Sequence, residues 1–265
     1  MPDDLRSYLS FYRLLVEVAR PVIITALLVG LGVALRRAAA LPRAVRIATW
    51  LSVAVPLVAW FAVAWGAAVA GWFQQRVGAL PVVPFAIVLP VLVGLIALTR
   101  SRQIAQALDR ASPSWLVGIQ VYRVIGGNFL VLWAYGALPG SFALPAGIGD
   151  VLVGVLAVPV ALYVASRRRG EHVAAVAWNL LGIVDLLTAV TLGTLMTAGR
   201  AAPAATGVPN LLAAYPTVMT PAFAVPLSLI LHGLSLWQTR RRSRAAAGLS
   251  AMPTPSPAHH RAGAS

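Results

Sequence analysis

Cysteine is absent from this 265-residue chain, and no lysine occurs in it either. Without a thiol there is no disulfide, no thiolate metal site, no iron–sulfur cluster and no cysteine nucleophile. Without a lysine amine there is no Schiff base, which excludes a retinal linkage, and no phosphate-loop lysine. Charge of both kinds is scarce: charged residues make up 11% of the chain and only seven residues are acidic, where soluble domains carry about 25%. The metalloprotease pattern H-E-x-x-H and the nucleophile elbow G-x-S-x-G are missing. Of the four histidines only His232 falls inside an apolar run, so a haem with two histidine ligands would lack its second ligand within the spans. The expectation is therefore no metal and no cofactor.

What is present is hydrophobic. Such residues make up 59% of the chain, more than one core of this size can hide. They come in long continuous runs, not in alternation. Runs of 18 or more apolar residues are spanning-helix candidates. In lipid each backbone N–H and C=O needs a partner within the chain, which leaves helices or closed barrels, and unalternated runs select helices. The fold class predicted is all-α, a polytopic transmembrane bundle of about seven spans at about 18–35, 47–73, 82–98, 115–138, 145–165, 173–198 and 217–237. Residues 1–17 carry Leu5, Leu9, Tyr12 and Val16 at helical spacing and read as an amphipathic lead-in at the interface. The same region lacks the clean apolar stretch and cleavage site of a secretory signal. Residues 239–265 read as a basic, then disordered, cytoplasmic tail.

All 21 basic residues are arginine. They cluster in alternate connections: 15 fall after spans 1, 3 and 5 and in the tail, against 5 in the lead-in and the other loops. Basic residues are held on the cytoplasmic side, which predicts an outside N-terminus, a cytoplasmic C-terminus and residence in a bacterial inner membrane. The same clustering argues against nucleic acid as a partner, since a binder would show a basic stripe on a soluble domain. The partners expected are the lipid bilayer and a small polar or anionic solute; an oligomer or partner subunit stays open.

Spans 4–7 differ from spans 1–3 in carrying ionisable residues inside apolar runs: Arg123, Asp150, Asp185 and His232, with Asn128 and Asn179 beside them. A charge at mid-bilayer costs about 2.5–3.5 kcal/mol on insertion scales, so such groups face inward and mark function or pairing. A rise of about 1.5 Å per residue puts Arg123, Asp185 and His232 in one polar layer, with an Arg123–Asp185 ion pair. Asp150 falls nearer the outside, facing an outer vestibule or Asn128. The bland alternatives stand beside these: Arg123 and Asp185 as a structural lock, Asp150 as a helix cap near the start of span 5, His232 as a packing residue.

The runs Tyr122-Arg123-x-x-Gly126, Leu144-Pro145-Ala146-Gly147-x-Gly149-Asp150, Trp178-Asn179-x-x-Gly182-x-x-Asp185 and Val225-Pro226-Leu227 through Leu231-His232 resemble a family of small uncharacterised bacterial membrane proteins. The resemblance covers about residues 115–237. It implies a membrane protein of unknown activity and brings no catalytic residues. The leading expectation is a small-solute or ion/proton-coupled transporter, or a permease-like subunit. In that picture Asp185 and His232 exchange protons, and Asp150 gates the outer mouth. The alternatives are a structural or partner protein without transport activity and, more weakly, an intramembrane enzyme acting on a lipid-like substrate.

Overall fold

A computed structural model of the chain describes residues 3–74, 76–77, 80–198 and 210–250. It is an all-α bundle, apart from a two-residue hairpin pairing Arg76–Val77 with Leu80–Pro81. Among the described residues, seven helical segments are long and apolar enough to cross a membrane, which makes the chain a multi-pass membrane protein.

The first, α1 (Asp3–Arg37), runs unbroken through the stretch read as a separate lead-in, with Pro21 inside it. Its 35 residues extend about 50 Å, longer than a hydrocarbon core of about 30 Å. Next come α2 (Arg43–Val69), α3 (Val83–Arg100) and a short amphipathic α4 (Arg102–Arg110). Ser101 caps α4, accepting from the Ile104 N–H at 3.2 Å.

The fourth span is not one helix. It is α5 (Pro113–Gly118), a nine-residue 3₁₀ segment (Ile119–Gly127) and α6 (Asn128–Ala134). A 3₁₀ run of that length inside a span is unusual and often marks a hinge or local strain. Gly118, Gly126 and Gly127 sit at its ends, where the lack of a side chain lowers helix preference. Then follow α7 (Gly140–Ala165) and α8 (Glu171–Ala198). The seventh span opens with a π-turn (Thr220–Ala224), where Pro221 offers no N–H, and continues as α9 (Val225–Ser250). The loop expected after span 6 falls on residues 199–209, outside the described residues, as do tail residues 251–265; the start of that tail, from 239, is the end of α9.

Burial ranks the spans. In the apolar window of the seventh, 72% of residues are buried inside the protein, against 6% for α3 and 17% for α2. The seventh span is thus the hub, and α2 and α3 are peripheral walls turned to lipid. α7 packs along the length of the fourth span and against α8. The chain ahead of the hub is tied to α1: the Tyr215 hydroxyl donates to Glu17 Oε1 at 2.8 Å. Burial pushes that phenol up, and Glu17 adds to the shift.

A candidate buried charge site

The glycines that weaken helix in the fourth to sixth spans make room for charge. A Cβ at Gly126 would overlap the Asp150 side chain, one at Gly149 the Asp185 carboxylate, and one at Gly182 the His232 ring. A Cβ at Gly154 would press on the backbone at Val124, 2.7 Å away. Four helices therefore approach closely enough for their polar groups to meet across the contacts.

Arg123 projects from the 3₁₀ segment into that space and is 3% exposed. Its Nε donates to Asp150 Oδ1 at 2.9 Å, and its Nη2 lies 2.7 Å from the same oxygen. Nη2 also pairs with Asp185 Oδ2. Nη1 donates to the Gly182 carbonyl at 3.3 Å and meets His232 Nε2 at 3.2 Å. One guanidinium thus joins α7, α8 and α9. The expected Arg123–Asp185 pair is present.

Of the readings open for Asp150, neither the Asn128 contact nor the helix-cap alternative holds: it pairs with Arg123 and lies ten residues inside α7. The reason is that α7 begins at Gly140, not near Pro145, which brings Asp150 deeper than a start at Pro145 would. The long arginine side chain spans the remaining difference in level.

The protonation pattern follows from the donors. A guanidinium has no acceptor, so His232 Nε2 must accept, and the ring is neutral with its proton on Nδ1. That proton is donated to Asn179 Oδ1 at 2.9 Å. The Asn179 amide is oriented to match, its Nδ2 donating to the Ala175 carbonyl at 2.7 Å and to Ser235 Oγ at 2.9 Å. Trp178 packs on the His232 ring with centroids 5.0 Å apart. His232 therefore reaches Arg123 and Asn179, not Asp185 as a proton-exchanging partner.

Asn128 stands apart from this network. Its Oδ1 accepts from the Tyr8 hydroxyl of α1 at 2.8 Å. Of the six sequence-predicted residues, Arg123, Asp150, Asn179, Asp185 and His232 come together and Asn128 does not.

The residue that sequence reasoning missed is Arg20. Assigned to the lead-in side of span 1, it is 1% exposed in the middle of α1. Its Nη2 donates to Thr220 Oγ1 at 3.3 Å, Thr220 shares a 3.1 Å hydrogen bond with Tyr12, and Arg20 Nε has no partner among the described residues. Its signal was the apolar stripe of Tyr12 and Val16, whose next step of four is residue 20. Two guanidiniums and two carboxylates then balance within the bundle.

Arg20, Arg123 and Asp150 border one small cavity, open over about 20 Å³ to the centre of a water molecule, room for about one water. A second cavity, about 60 Å³, also borders Asp150 and shares Leu186, Thr220 and Val225 with the first. It is lined mainly by apolar residues near the start of α3, the start of α7 and the end of α8. Those ends lie on one face of the bundle, opposite the arginine-rich ends. Among the described residues no three of His, Asp and Glu converge as a metal site, and the buried Asp150 and the partly buried Asp185 are already held by Arg123.

A family model described as Domain of unknown function (DUF8737) matches residues 80–240. The match takes in Arg123, Asp150, Asn179, Asp185 and His232, while Arg20 precedes it. It is wider than the 115–237 region that carried the resemblance. No curated protein matches the chain, and no solved structure does.

Proposed function

This chain belongs to the DUF8737 family, a domain of unknown function, and from that premise we propose that it is a transporter or permease-like subunit moving a proton or a small polar, anionic solute through the Arg20–Asp150–Arg123 site. The observation that carries the reading is the facing of Arg20 and Asp150 across a cavity of about one water. A buried guanidinium with an unpartnered Nε is costly. It is also a donor ready for a carboxylate, a phosphate-like oxygen or a water. Asp150 is the exchanging group, since it borders both the inner cavity and the one leading toward a face of the bundle. Arg123 holds Asp150 and Asp185 in place, and His232 with Asn179 braces Arg123.

The setting we propose is a bacterial inner membrane, with the N-terminus outside and the arginine-rich connections in the cytoplasm. On that orientation the larger cavity opens toward the outside, so Asp150 is the first charge a solute meets from there.

The test is flux in proteoliposomes carrying an internal pH-sensitive dye, with small carboxylates and inorganic phosphate offered outside. Transport or proton movement that Asp150→Asn and Arg20→Gln abolish, in folded protein, supports the reading. Flux that neither substitution changes would overturn it. A second reading, a purely structural bundle lock, is favoured by the near-complete burial of Arg123, Asn179 and His232. It predicts that Asp185→Asn lowers the amount of protein in the membrane with no separate loss of activity.

A further inference from the structure

A third cavity, larger than the two beside the charge site, lies away from them and is of opposite character. It covers about 570 Å³, within the range of small-ligand pockets, about 300–1,000 Å³. Its walls come from α1, α2, α3, α4, α5 and α9, and they are apolar. The one hydroxyl in the lining, Ser52 Oγ, is already bonded to the Thr49 carbonyl at 2.8 Å. The space exists for two reasons. α2 leans on α1, and α3 leans on α9, leaving a cleft between them. Small residues line it on α1, α3 and α4, among them Ala34, Gly94, Ala97 and Ala107.

The cleft has one charged end. α4 closes it there, turning Ile104, Ala107 and Leu108 to the cavity and leaving Arg102 and Arg110 exposed. Arg36 and Arg37 end α1 within one turn of Ala34, Arg43 opens α2, and Arg100 ends α3 within one turn of Ala97. Arg36 accepts at its backbone carbonyl from Arg46 Nη1 at 3.4 Å, but none of these six guanidinium groups forms an ion pair or hydrogen bond among the described residues. Asp109, the carboxylate on α4, is taken by Arg241 through bonds of 3.0 and 2.6 Å. A long apolar slot beside lipid-facing walls, ending at uncompensated arginines, matches an amphiphile with an acyl chain and an anionic head.

We propose that this cleft binds one anionic glycerophospholipid, an acyl chain between α2 and α3 and the phosphate among Arg36, Arg100 and Arg102. The inference is independent of the transport reading. It differs from the general coat of lipid around a membrane protein in having a fixed stoichiometry and a headgroup preference.

The experiment purifies the full chain in mild detergent and reconstitutes it in nanodiscs of equal phosphatidylglycerol and phosphatidylcholine, followed by native mass spectrometry of the released protein. The result expected is about one retained phospholipid per chain, with phosphatidylglycerol several-fold enriched. Ala97→Phe fills the slot and loses the lipid. Arg100→Gln with Arg102→Gln, both at exposed positions, keeps a lipid but loses the preference. Retention without headgroup preference in the wild type would overturn the proposal. So would unchanged preference in the arginine double variant, or a lipid-free dimer in which a second copy covers the cleft.

Discussion

His232 stands where a side chain on Gly182 would be: a Cβ built at Gly182 runs into the Nε2 and Cε1 of the ring and lies 3.0 Å from Arg123 Nη1. The same relation recurs between Gly126 and Asp150 and between Gly149 and Asp185. Gly182→Ala is expected to lower stability by about 1–3 kcal/mol, as overpacking of a tight interior does. The check is thermal unfolding in lipid nanodiscs beside Gly66→Ala, where a Cβ meets nothing within 4 Å and no loss is expected.

Removing one partner from the Arg123 cluster leaves charges that are buried, or partly buried in the case of Asp185, without their partner. Arg123→Leu is expected to cost about 3–5 kcal/mol, since both Asp150 and Asp185 lose their cation. Arg123→Leu combined with Asp150→Asn and Asp185→Asn is expected to recover part of that loss, because the two carboxylates no longer need a cation, while Arg20 then loses its counter-charge across the cavity. Denaturation of the single, double and triple variants measures this non-additivity. Additive losses would mean the three groups do not act as a unit.

His232 is expected to be neutral, with its proton on Nδ1, because Arg123 has only donors to offer it. ¹⁵N chemical shifts of the labelled ring at neutral pH report the tautomer directly. His232→Gln, which can still accept from Arg123 and donate to Asn179, is expected to be milder than His232→Leu. The latter strands a donor and an acceptor, each costing about 1–3 kcal/mol.

Asn128 is expected to act only through packing. Asn128→Leu removes the acceptor of the Tyr8 hydroxyl and should cost about 1 kcal/mol, with any transport activity unchanged. Loss of flux in folded Asn128→Leu protein would place Asn128 in the working site.

Because the chain has no cysteine, single introduced cysteines report topology without background. A cysteine at Ala137, between α6 and α7, is expected to react with a membrane-impermeant thiol reagent in intact cells. A cysteine at Ser166, after α7, is expected to react only once the cells are opened. The reverse pattern would invert the proposed orientation.

The sequence carried the fold class and most of the charge cluster because both rest on strong signals. Apolar runs and arginine clusters are coarse features, and four ionisable residues in apolar helices stand out singly. Two things were less legible. The position of Asp150 depended on where α7 begins, and Gly140 starts that helix several residues before Pro145 without a capping side chain to announce it. Arg20 was hidden by its neighbours: Arg13 and Glu17 made the stretch look interfacial, although they pair with each other at 2.9 Å on the exposed side of α1. The adjoining stripe, through Tyr12, Val16 and Arg20, is buried against the hub.

The transport proposal requires an aqueous route to Asp150 from the face formed by the starts of α3 and α7. Leu186 borders both cavities beside Asp150, and Leu186→Cys shortens a side chain there without touching a charge. In right-side-out membrane vesicles, a small methanethiosulfonate reagent added outside is expected to modify this cysteine, and modification to block flux. A cysteine that stays unmodified from both sides of the membrane, in folded protein, would contradict it.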